Sequence, residues 1–418
     1  MVQEIQEVQI NVKSLPISIS RRGKKWHWFL LLVSLWAAPA RAQFRDDFNG
    51  PAVQTDPDGI SGWTFSTGDG KAVMDFRQGG LDYASIFVDA SGDQRNVWWA
   101  LIERQVLERI DLGRLKQPGR ALRIEARLRV SHAPRRVNLQ LLTQRTTDFE
   151  SNLMEFDIAD TVNWHTISLT VPDLDAVPGD TVIAHLALMD WGLEKYRVDV
   201  DYIKVDLVNV TEVGQDLGSA VPYHPPVPAP GSFICVARTD RAATIDLENR
   251  ELNLSDWVVI DGAKKIALLA VGASQGSILH WDLSAWQGKK AAGQGLLELT
   301  TRTLERKAED LNDFGLIRVV EILGGDPAWE QKTVTAASLC RGWELSRVMN
   351  PQMVIDWPVI SGNGSKTYFT ISEPVLQRLL DGKTLGLALL PLGAIHAAFY
   401  AEENESGKTG PRLRFNTK

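Results

Sequence analysis

Cysteine is almost absent from this chain: Cys235 and Cys340 are the only two in 418 residues. That excludes a disulfide framework and argues against a zinc site, which needs more sulfur or paired histidines. One bridge is still allowed. Closing a loop of that length, about a hundred residues, would stabilise its part of the fold by about 4–5 kcal/mol; two buried free thiols are the alternative. Long apolar runs are missing as well. The run from Trp28 to Ala38 is too short for an ordinary membrane span. Positive charge is not in excess, the formal net charge being −7. A nucleic-acid ligand, which demands a basic footprint, is therefore not expected. Phosphate loops, dinucleotide fingerprints and metalloprotease motifs are absent from the sequence.

What is present begins with an export pattern. Arg21, Arg22, Lys24 and Lys25 precede the apolar run, and Ala40-Arg41-Ala42 supplies the small residues of a cleavage site. Residues 1–42 read as a signal peptide with an N-terminal extension, cleaved after Ala42; an N-terminal anchor is the alternative. Their removal takes away six basic and two acidic residues, leaving 39 against 50. The mature protein is expected outside the cytoplasm, secreted, periplasmic or at the cell surface, with no membrane span.

Proline organises the remainder. Residues 221–230 read Val-Pro-Tyr-His-Pro-Pro-Val-Pro-Ala-Pro, and five prolines with fixed φ and no amide donor cannot join a helix or a central strand. We read 211–230 as an extended linker between two all-β domains of ordinary size, 43–210 and 231–418.

In the first, candidate strands at 121–130, 137–142, 165–171 and 182–189 are separated by Gly, Pro and Asp turns, the pattern of a sandwich or jelly roll. In the closing run Val198, Val200, Tyr202 and Lys204 alternate with Asp199, Asp201, Ile203 and Val205. Trp98 and Trp99, if in a strand, point to opposite faces. One of them, and Trp191 after the strand at 182–189, are candidate platforms for a sugar ring; burial in a loop-covered cluster is the alternative. The opening Phe44-Arg-Asp-Asp-Phe-Asn-Gly50, Trp63 and the Asp-rich closing strand resemble galactose-binding-like carbohydrate modules. In such modules the end strands meet around a structural calcium. The resemblance thus implies Asp46, Asp47, Asp199 and Asp201 as oxygen ligands, against aspartates that only blunt edge strands.

In the second, Leu279, Trp281 and Leu283 share one face of an alternating strand. Residues 372–382 read as a short helix with Ser372 as cap, Pro374 in the first turn and Gly382 as stop. The strand Leu279-His-Trp-Asp-Leu-Ser, Trp329 with Val334-Thr335, Phe369-Thr-Ile-Ser before the helix, and the closing Ala398-Phe-Tyr with Pro411-Arg-Leu resemble the DNRLRE-type domain. That resemblance implies a β-sandwich in a secreted carbohydrate-binding protein. Gln331 and Ala336 depart from its pattern.

Gly272-Ala-Ser-Gln-Gly276 satisfies G-x-S-x-G, with His396 downstream. A nucleophile elbow must turn into a helix, whereas 278–283 alternate as a strand, so a hairpin turn is the better reading. No spacing selects a carboxylate pair for glycoside cleavage or a base for a lyase. Trp343, Arg341 and Arg347 form a cluster able to stack on a ring and pair with a carboxylate. The expectation is a non-catalytic binder of polysaccharide, acidic ones included. A polysaccharide lyase or glycoside hydrolase and a structural or adhesive surface protein are the alternatives. The oligomeric state is not legible.

Overall fold

The structure, a computed structural model, describes residues 43–418 except 51–53, 57–58, 68–70, 79–81, 94–99, 107–109, 149, 189–193, 256–257, 262–263, 307–314 and 402–408. The leader with its cleavage site, Trp98, Trp99 and Trp191 lie outside the described residues.

Alternation builds the first half. Along Arg120–Val130, Leu122, Ile124, Ala126, Leu128 and Val130 point into the core, while Arg123, Glu125, Arg127 and Arg129 take the outward positions. This strand is flanked by His165–Val171 and by the long strand Lys195–Asn209; Ala84–Asp89 and Val73–Gln78 complete the sheet, with Phe44–Asp46 paired to the end of Lys195–Asn209. A second sheet runs in the order Ala220–Val221, Leu153–Ile158, Arg135–Thr143, Val182–Ala187, Leu101–Val106, Thr64–Ser66. The two enclose one core, closed at one end by Phe44, Phe48, Trp63 and Phe76.

Strict alternation fails in Lys195–Asn209. A bulge between Val200 and Tyr202 shifts the register, so Val198 and Val200 before it and Ile203 and Val205 after it all enter the core. One extra residue inverts the phase of everything beyond it. The linker also differs from a free spacer: Ala220–Val221 pairs with Leu153–Ile158 as an edge strand, and Val221 is buried.

The second half is a curled 12-stranded sheet. Gly295–Arg306 turns its corner, pairing at its start with Lys366–Ile371 and Arg412–Phe415 and, past a bulge at Thr301, with Ile395–Tyr400. Leu279, Trp281 and Leu283 are buried together in its core, as their alternation requires. The G-x-S-x-G segment is a tight hairpin between Lys264–Gly272 and Gln275–His280, and Ser274 donates to Asp246 rather than to a histidine. Gly272 is needed there: a Cβ would lie 2.6 Å from His396 Nδ1 and 2.7 Å from the Ile395 carbonyl. The helix Glu373–Leu380 buries Val375, Leu376, Leu379 and Leu380. Ser372 makes no capping bond, and among the described residues its buried hydroxyl has no partner.

The disulfide expectation is corrected. Both thiols are free, because Cys235 sits on the strand Cys235–Arg238 while Cys340 ends the helix Ala336–Cys340 in a separate cluster around Trp329 and Val334. Among the described residues, no helix is long and apolar enough to cross a membrane.

Candidate functional site

The polar face of the second sheet of the first half is not solvated where Leu153–Ile158 meets the start of Arg135–Thr143. Arg136, Glu155 and Asp157 occupy its outward positions, and all three are buried. The Arg136 amide donates to Gln352 Oε1 at 2.8 Å, and its guanidinium donates to Glu155 at 2.7 Å and to the Val354 carbonyl at 2.9 Å. Arg378, from the helix Glu373–Leu380, donates to both Asp157 oxygens and to both Glu321 oxygens. Burial works against the Arg378 charge, but the bonds to Glu321 and Asp157 hold its pKa above the ordinary guanidinium value. At Glu155 burial prevails over the opposing pull of Arg136, and its pKa is raised. Asn350 completes this floor by donating to the Pro134 carbonyl at 3.3 Å.

Beyond Pro134 and Asn350 the halves part into a cleft of about 570 Å³. One wall is the turn 131–134 with Arg135 and Glu194. Ser131 anchors it, its amide donating to the Arg197 carbonyl and its hydroxyl accepting from the Arg197 amide. Exposed His132 bonds to the Ser131 hydroxyl through Nδ1. The Arg135 guanidinium lies over the Tyr196 ring, 3.4 Å from its centroid, and donates to Glu194 at 2.8 Å.

The facing wall comes from residues 323–325 and 343–351. Thr335 and Ser338 form a capping box that starts the helix Ala336–Cys340, and Arg341 ends it in a left-handed conformation. The chain then turns through Gly342 to present Trp343, whose amide donates to the Cys340 carbonyl. One turn later, on the short helix Leu345–Val348, Arg347 returns over the indole at 5.3 Å. Trp343 is 54% exposed. Among the described residues no carboxylate is paired with Arg347. Gly325 lets this wall close: at φ +90°, a Cβ would lie 2.3 Å from the Leu339 carbonyl oxygen.

Of the expected binding cluster, Trp343 and Arg347 are brought together at the cleft, while Arg341 turns to Asp326 at 2.6 Å. The wall from the first half was missed. Only the polar pair at Arg135-Arg136, opening an otherwise strand-like run, marks it in the sequence, and nothing there names its partner.

The four aspartates do not fit a calcium ion. Asp46 accepts from Trp63 Nε1 and Arg104, Asp47 from Arg45, Asp199 from Ser85 and Arg129, and Asp201 from Arg127. Their charge is already met by guanidinium groups. Among the described residues, no group of three or more acidic, histidine or cysteine side chains could hold a metal ion.

No family model matches the chain, and no curated protein does. Among solved structures, a family 11 carbohydrate-binding module from Clostridium thermocellum in complex with a beta-1,3-1,4-mixed-linked tetrasaccharide is similar over 37% of this chain and 94% of its own, at 11% identity and TM-score 0.25. The CBM22-1 xylan-binding domain from Paenibacillus barcinonensis is similar over 40% and 95%, at 14% identity and TM-score 0.24. The Endo-D glycoside hydrolase domain from Streptococcus pneumoniae R6 is similar over 75% and 37%, at 8% identity and TM-score 0.23. At these TM-scores the likenesses decide neither fold nor ligand; the all-β fold stands on the strand pairing described above.

Proposed function

We propose that this is an exported, non-catalytic polysaccharide-binding protein whose cleft between the two halves takes an acidic sugar. The observation that carries this reading is the exposed Trp343 indole with Arg347 held against it. An indole offers a flat apolar surface to the C–H face of a ring. A guanidinium with no carboxylate partner offers a paired donor to a uronate. The groups opposite, His132 and the Arg135–Glu194 pair, supply polar atoms across the same cleft. The basic–apolar–small N-terminal sequence supports export, and the DNRLRE-type resemblance of 231–418 points to the same class of ligand. A glycosidase needs two carboxylates across the scissile bond. Among the described lining residues Glu194 is the one carboxylate, and Arg135 holds it.

The test is affinity electrophoresis of the full chain through gels containing alginate or polygalacturonate. Retardation is expected and should weaken with salt. Trp343→Ala should weaken it about fivefold, the loss of one stacking contact of about 1 kcal/mol. Release of unsaturated uronates would move the protein to the lyase class; absence of retardation in acidic gels would refute the reading.

A further inference from the structure

The outward face of the first sheet carries a second arrangement of aromatic rings and guanidinium groups, far in sequence from Trp343. Trp164 stands at the sheet edge, just before the strand His165–Val171. Arg127 and Arg129 lie over its ring at 5.6 and 4.9 Å, and Tyr83 meets it edge-on at 5.7 Å. Farther across, Arg77 and Arg197 lie over Phe87 at 5.2 and 6.0 Å. Strand register explains the spacing. Arg129 is opposite Asp199, Asp199 opposite Ser85, and Ser85 opposite Arg77, so these side chains share one face in a row perpendicular to the strands. Phe87 lies on the strand Ala84–Asp89, three strands across from His165–Val171 in this sheet.

The arginines of this face are already paired with carboxylates, four guanidinium groups on three aspartates. Arg127 pairs with Asp201, Arg129 and Arg197 with Asp199, and Arg77 with Asp75. The aspartates of the closing strand thus act as counter-ions on an open sheet face. Phe87 is 38% exposed, and the Arg127 and Arg197 side chains are each 43% exposed. A face whose guanidinium groups are already paired has little to offer a polyanion. It does offer flat apolar rings, planar guanidinium groups and carboxylate acceptors side by side, a set suited to C–H stacking and to pairs of hydroxyls.

We propose that this face is a second binding surface, for a neutral polysaccharide chain lying across the strands. It rests on the reading above only for the class of ligand, since it shares no residue with the cleft.

Affinity electrophoresis of the full chain in gels cast with galactomannan, xylan or hydroxyethyl cellulose tests it. Retardation is expected in at least one of these neutral gels and should be insensitive to salt. Trp164→Ala should weaken it about fivefold, and Trp164→Phe, which keeps a ring, should restore most of it. If Trp164→Ala lowers the melting temperature enough to cloud the result, Phe87→Ala decides, since that ring is already exposed. Lack of retardation in every neutral gel would overturn the proposal. So would wild-type retardation in both alanine variants, or retardation that disappears with salt. Acidic gels with Trp343→Ala report on the cleft and neutral gels with Trp164→Ala on this face, so each reading can fail alone.

Discussion

Arg378 and Asp157 lie 221 positions apart, yet the guanidinium of one meets both carboxylate oxygens of the other at 2.6 and 2.9 Å. Arg378 also engages Glu321 on its own half. One cation thus joins an acidic residue from each side of the junction, beneath the cleft and next to Arg136 and Glu155.

Arg378→Ala removes the cation and leaves two buried carboxylates, a loss of about 3–5 kcal/mol. The urea midpoint should fall accordingly. The contrasting case is Arg341, whose pair with Asp326 is exposed. Arg341→Asn, which tolerates the left-handed backbone there, should change stability by less than about 1 kcal/mol. Equal effects from the two substitutions would show that the Arg378 junction contributes no more than a surface ion pair.

Two buried carboxylates should titrate in opposite senses. Burial alone would raise Glu298, but Lys366 at 2.9 Å and Arg414 at 2.7 Å outweigh it and hold its pKa below the ordinary 4.5. Its contribution is present above that value and is lost as pH falls through the folded pKa. Glu155 is raised by burial, so its contribution is full below 4.5 and is lost as pH rises through the folded pKa. Urea unfolding between about pH 3 and pH 7 checks the signs. The stability of Glu298→Gln relative to wild type should fall as pH rises, and that of Glu155→Gln should increase. The same slope for both would contradict the environments described here.

The free thiols give a chemical check. Cys340 is fully buried, and burial pushes its pKa up against the pull of Arg250. Ellman's reagent should find Cys340 protected in the native protein and reach two thiols per chain only in denaturant. Cys235, half-buried on its strand, should react first. Reducing agent should leave the unfolding midpoint unchanged; a lowered midpoint would point to a bridge.

Alternation was legible wherever one face of a strand met a core. Leu279, Trp281 and Leu283 could be assigned together because side chains two apart share a face. The hairpin at Gly272 was legible for the same reason, since an alternating strand follows it and no helix does. Alternation could not locate the bulge at Asp201, because an extra residue costs no change of composition. Trp343 and Arg347 were found as residue types, and the turn from Gly342 into the short helix Leu345–Val348 brings them together.

By itself, then, the sequence determined two sets of alternating strands with their cores, and an aromatic–arginine cluster in the second. The tertiary structure decided what the outward residues face. Arg136, Glu155 and Asp157 are polar residues of strands, as are Arg127, Arg129, Asp199 and Asp201. The first set is sealed against Gln352, Val354 and Arg378, while in the second Arg127 stays partly exposed beside Trp164. Polarity marks a side chain as outside its own core. Whether water or another part of the chain lies beyond depends on contacts more than two hundred residues away, and no local pattern carries that information.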